Sequence, residues 1–178
     1  MTFLLAVRGG TYVRVADGGW DDPLDGSHAK ATGGRWNSPG SYDVVYLNAD
    51  RPTARLNVAR LLAGHPYGPE DLDDTETFVL IATDVPQGEY ADVVTDAGCT
   101  ASGLPTTYPV DAAGHRISHD VCQPVGQAVH DHGLPGVACR SAALVASVDN
   151  EELAFFPSDG RRLTEQARWG FGDWYWSD

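Results

Sequence analysis

The stretch TFVLIATDV, residues 77–85, constrains the fold more than any other part of the chain. It is the clearest buried strand in the sequence, and a strand of that kind needs a sheet around it. Several shorter segments can supply one. TYVRVAD (residues 11–17) alternates, with Tyr12, Arg14 and Ala16 on one face. VVYL (44–47), GVACRSA (136–142) and ELAFF (152–156) also read as strands. Two segments read as helices. Asp50 can cap the first, with Pro52 in its first turn and Gly64 as its stop across PTARLNVARLLAG. The second is CQPVGQAVHDHG, where Pro124 fits only near the start. DGGWDDPLDGSHAKATGG (17–34) reads as loop, HPYGPEDLDD as an acidic loop, and 86–118 as short pieces with a long loop. The tail RWGFGDWYWSD is aromatic, and its Trp169, Trp174 and Trp176 suit packing or a contact surface. The pattern predicts an α+β fold: a mostly antiparallel or mixed sheet with helices on its flanks. No internal repeat and no linker divides residues 1–178, so a single domain is expected.

Composition narrows the function. The formal charge is −13, and Lys30 is the only lysine among twelve basic residues. Such a surface repels phosphate backbones, which argues against nucleic acid and suits a partner with a basic face. Apolar runs are only a few residues long, so no membrane span is expected. MTFLLAVRGG lacks a basic leader and reads as mature sequence. Cys99, Cys122 and Cys139 are odd in number and widely spaced, as free thiols of a reducing cytoplasm would be. His115 and His119, and His130 and His132, have no convincing further ligands nearby, so they read as structural or surface histidines and no metal site is expected.

The block GGRWNSPGSYDVVYLN, residues 33–48, sets Arg35 and Trp36 between two glycine-rich turns. An arginine so placed can face an anionic ligand, with the glycines allowing close backbone approach. Arg35, Tyr46 and Asn57 follow at equal intervals of eleven residues. On the predicted helix, Ala54, Asn57, Val58 and Leu61 share a face by i, i+3, i+4, i+7 spacing. Asn57 should therefore point inward, either bonded to backbone or facing a pocket. Tyr46 is either core or pocket wall, and Arg14 either pairs with a surface carboxylate or binds phosphate.

Taken together, these segments resemble the RES domain family from Tyr12 to Pro157, leaving the aromatic tail, 158–178, outside. YVRV is similar to the family's opening strand, and GGRWN-x-PG, intact at Gly33–Gly40, is its most specific block. VYLN with PTARLNVA resembles the tyrosine strand and the helix after it. CQPVGQA, GVACRSA with Ser141, and DNEELAFF resemble the later blocks, in the right order. The helix departs from the family at one point: it carries Asn57 where a glutamate is usual, and Glu70, Glu76, Glu151 and Glu152 all lie off this helix.

The resemblance implies an ADP-ribosyltransferase-like fold and a bacterial, cytoplasmic toxin of a toxin–antitoxin pair. It would degrade NAD at the nicotinamide–ribose bond by hydrolysis or phosphorolysis, with NAD as substrate and no separate cofactor. An Xre-type helix-turn-helix antitoxin would be its partner. Protein ADP-ribosyl transfer is an alternative, as is an attenuated NAD-binding domain without turnover, which the missing charge at Asn57 favours. The implied roles are phosphate binding for Arg14 and Arg35, a nicotinamide pocket at Tyr46, ligand orientation by Ser141, and Asn57 in the glutamate's place beside the ribose. On that reading, Asn57→Glu should restore a missing charge and raise turnover.

Overall fold

Strand β3, Phe78–Val93, is sixteen residues long and organises the rest. The computed structural model describes residues 2–72, 78–143, 149–158 and 160–177. Thr77 and Glu76 lie outside that set. β3 is buried on both faces at Leu80–Thr83 and again at Tyr90–Val93, with an exposed stretch between. The predicted strand is thus only the first half of a longer one. Residues 86–93, expected as irregular, continue it because Gly88–Ala91 pair with β1 and Ala91–Val93 pair with β4.

β1 spans Leu5–Asp17 and runs antiparallel to β3 along almost its whole length. The register shifts between Arg8 and Gly10, where Gly10 takes φ +91°. A bulge there bends the pair. β2 is Val45–Asn48, β4 Gly136–Arg140, β5 Glu151–Phe155 and β6 Glu165–Trp169. The strand order is β1-β2-β5-β4-β3-β6, and the β1–β3 pairing closes the first five strands into a ring. β3 and β4 are parallel and the other pairs antiparallel, so the sheet is mixed, as expected. The ring is weakest between β1 and β2, which share the single pair Val13–Asn48.

Three apolar clusters follow from this closure. Val45, Leu47, Ile81, Leu153 and Phe155 meet in one of them with Tyr12 and Tyr90. Val44, Val137, Cys139 and Ala154 pack against Trp36 and against Cys122, Val125 and Val129 of helix α4, His119–Asp131. Leu80 and Ala82 pack under helix α2, Arg51–Leu62, and the tail.

α2 starts as predicted: the Asp50 carboxylate accepts from the Thr53 amide at 2.8 Å. Its buried residues are Thr53, Ala54, Val58 and Leu62, so the inward face is rotated from the predicted one. Asn57 falls at its rim and Leu61 is exposed, because the helix abuts a cleft on that side. α1, Ser27–Thr32, is a short helix inside the segment expected as loop, and α3, Asp96–Ala101, follows β3. α4 begins three residues before the predicted start at Cys122, which leaves Pro124 inside the helix at the cost of one backbone hydrogen bond. In the tail, β6 pairs with β3, and α5, Phe171–Tyr175, buries Phe171 and Trp174. The Trp174 indole donates to the Phe78 carbonyl at 3.0 Å. The tail therefore packs into the fold, with Trp176 left exposed. No helix among the described residues is long and apolar enough to cross a membrane.

Candidate functional site

A cleft of about 430 Å³ opens where β1 and β2 part, between α2, the turn after α1 and the start of α4. Arg14, Arg35, Tyr46 and Asn57 all line it, so the folding brings together four of the five residues expected there. The fifth, Ser141, is buried just behind Glu152.

Arg14 comes from β1 and is only 7% exposed. Its Nη1 is buried and has no hydrogen-bond partner, and the guanidinium lies 5.6 Å from the Trp20 ring. Burial pushes its pKa down to about 10, against the pull of Asp22 and Asp25, so it stays charged at neutral pH. A buried unpaired donor is costly unless a ligand meets it. Arg35 is anchored on one side, where Nη1 donates to the Ile117 carbonyl at 2.9 Å and to the Cys122 sulfur at 3.7 Å. Arg60, one turn beyond Asn57 on α2, adds a third guanidinium, and burial lowers its pKa. His119, the first residue of α4, also lines the cleft. Partial burial, together with Arg35 and Arg60, holds it below the usual imidazole value, so it is neutral at pH 7.

Tyr46 offers the cleft its ring but not its hydroxyl. That oxygen accepts from the Trp36 amide at 2.9 Å and donates to Asn37 Oδ1 at 2.9 Å. The glycine turn serves the same contact: a Cβ on Gly34 would sit 2.4 Å from the Tyr46 oxygen. The turn thus packs on Tyr46, and Gly33 and Gly34 also line the cleft. The neighbouring Trp36 is core, 1% exposed.

Asn57 anchors a polar network. Its Nδ2 donates to Asn48 Oδ1 at 2.5 Å and to Glu152 Oε1 at 3.0 Å, while its Oδ1 accepts from Arg60 Nε at 3.1 Å. Ser141 Oγ donates to the same Glu152 oxygen at 2.6 Å. Its proton is thus given to a carboxylate, and the side chain orients Glu152. Glu152 sits on β5 directly across from Asn48 on β2. It is the only acidic residue lining the cleft among the described residues. Glu151 next to it is held by Arg8 at 2.7 and 2.9 Å and by the Tyr12 hydroxyl at 3.2 Å.

Arg60, Glu152, Asn48 and His119 were not anticipated as cleft residues. Arg60 lies three residues after Asn57, the spacing of one helical face, which is a usable signal. For Glu152, the only local signal is that adjacent strand residues face opposite ways, which says one of the two glutamates is turned from the other without saying which meets the cleft. His115 pairs with Asp111, and the His130 ring stacks on Tyr42 at 4.0 Å. No three His, Cys, Asp or Glu side chains converge as a metal site among the described residues.

A mixed sheet ring with a guanidinium-lined cleft beside one carboxylate is the form a RES domain takes in this chain. The RES domain family model matches residues 11–175, and the chain belongs to that family. Among curated proteins, no match is found. Among solved structures, the fold is similar to that of the MbcT toxin in the M. tuberculosis MbcT–MbcA toxin–antitoxin complex. The TM-score is 0.75 at 20% identity, over 97% of this chain and 92% of the other. At that identity the likeness concerns the fold.

Proposed function

We propose that this protein is a RES-family toxin that cleaves the nicotinamide–ribose bond of NAD in the cytoplasm of a bacterial cell and is restrained by an Xre-type antitoxin. The observation that carries the reading is the convergence of Arg14, Arg35 and Arg60 on one cleft in a chain of net charge −13. Cations gathered against the overall charge, one with a buried unpaired Nη1, suit a ligand with closely spaced negative groups. A diphosphate meets that description, and the guanidinium fork grips it through charged hydrogen bonds. The Tyr46 ring offers a face for a planar base.

In the reaction the C1′–N bond breaks and its electron pair goes to the nicotinamide nitrogen, which neutralises the ring. The ribose left behind has oxocarbenium character. Water or phosphate forms the new C1′–O bond, and with water a proton is released to solvent. The arginines hold the diphosphate still while charge moves at the ribose, and a carboxylate near C1′ stabilises that charge. The partner assignment draws on a fold neighbour solved with its antitoxin and on an acidic surface suited to a basic protein.

Incubating the purified protein with NAD, with and without phosphate, tests the reading. Nicotinamide release with ADP-ribose or its 1″-phosphate as co-product is expected. Label from NAD appearing on protein would turn the assignment to ADP-ribosyl transfer. No nicotinamide release under any of these conditions would overturn it.

A further inference from the structure

We infer that Glu152 on β5 is the catalytic carboxylate of this protein and that Asn57 is a positioning residue that holds it. The inference rests on the NAD-cleaving reading above and names the group that faces the ribose. Three features of the site carry it. First, Glu152 is the only acidic side chain lining the cleft among the described residues, and it faces a site that also carries Arg14, Arg35 and Arg60. Second, its hydrogen bonds come from neutral groups, and Arg60 acts on it through space, across Asn57. Oε1 accepts from Ser141 Oγ at 2.6 Å and from Asn57 Nδ2 at 3.0 Å, and among the described residues no arginine or lysine pairs with it. Neutral donors orient a carboxylate without cancelling its charge, which leaves that charge for a cation that forms during reaction. Third, Asn57 is polarised as a donor toward the carboxylate. Arg60 Nε fixes which end of its amide is oxygen, so the NH₂ end must face Asn48 and Glu152.

Position 57 therefore lacks a charge because the charge comes from the strand beside it. As the C1′–N bond lengthens, the Glu152 carboxylate lies against the developing oxocarbenium, and the electron pair leaves with nicotinamide. In phosphate-free buffer, water supplies the oxygen and releases its proton to solvent. The same geometry reverses the expectation that Asn57→Glu restores activity, since a second carboxylate would meet Glu152 with no donor between them.

Four proteins test the assignment: wild type, Glu152→Gln, Asn57→Glu and the double variant, each checked for a native melting transition. Nicotinamide release is measured at saturating NAD, and NAD affinity by calorimetry. Glu152→Gln should lose about 10²–10³-fold in kcat with NAD affinity changed only a few-fold. Asn57→Glu should not exceed wild type. The double variant should exceed Glu152→Gln by at least about tenfold, because it returns one negative charge to the cleft. An active wild type whose Glu152→Gln variant turns over equally fast would overturn this assignment alone. So would an Asn57→Glu variant several-fold faster than wild type. A wild type that releases no nicotinamide would overturn the function proposed above, and this assignment with it.

Discussion

Asn57→Glu should destabilise the fold in a pH-dependent way. In the native network Asn57 Nδ2 lies 3.0 Å from Glu152 Oε1 and donates to it. A glutamate at 57 can bring a carboxylate oxygen to about the same place. Two unit charges roughly 3 Å apart repel by about 1.4 kcal/mol in water and about 5.5 kcal/mol at an effective dielectric of about 20. Both side chains are half-buried, so the penalty falls between these limits after solvent screening. Arg60, now 3.1 Å from the Asn57 oxygen, would pair with the new charge and offset part of it. A net loss of about 1–3 kcal/mol at pH 8 remains. The repulsion makes the folded pair hold a proton that the unfolded chain releases. The penalty is therefore absent below the unfolded carboxylate range, near pH 4, and grows as pH rises through the raised folded value. Urea unfolding of wild type and variant at pH 5 and pH 8 measures it, and Glu152→Gln should remove it from the variant. Equal stabilities at pH 8, with parallel pH slopes, would refute the placement of residue 57 against Glu152.

Four further outcomes are expected. Arg14→Met should lose NAD binding by calorimetry and keep a native melting transition, because it removes a buried cation whose Nη1 no protein group satisfies. Tyr46→Phe should cost about 1–3 kcal/mol in urea unfolding, through loss of the bonds to Trp36 and Asn37, while nicotinamide release per folded molecule is retained. Gly126→Ala should lower stability by about 1–3 kcal/mol or more, since a Cβ there would lie 1.8 Å from the Trp36 carbonyl oxygen and force α4 away. Burial raises the carboxyl pKa of Asp92, but hydrogen bonds from the Thr95 hydroxyl and the Val94 and Thr95 amides outweigh it and hold the pKa below its ordinary value. That stabilisation is present above about pH 4 and is lost as pH falls through the folded value, so Asp92→Asn should flatten the acid limb of the stability curve.

Short-range pattern accounts for much of what is seen. The Asp50 cap, the apolar core of β3 and the glycine-rich block around Arg35 each depend on residues within a few positions of one another, and each is legible in the sequence. The order of the family's blocks was legible for the same reason, and with it the expectation that Arg14, Arg35, Tyr46 and Asn57 share one site. What each of those side chains does there was not legible. The Tyr46 hydroxyl is committed to Trp36 and Asn37 because the chain folds back over it at Gly34. Ser141 turns its proton to Glu152, and Asn57 presents its amide NH₂ to the same oxygen. The carboxylate itself shows the limit most plainly. Glu151 and Glu152 are equivalent in the sequence, and strand alternation says only that they face opposite ways. The pairing of β5 with β2 sets Glu152 across from Asn48 at the cleft, while Arg8 on β1 holds Glu151. That choice depends on contacts between segments far apart in the chain, and these exist only once the sheet has closed.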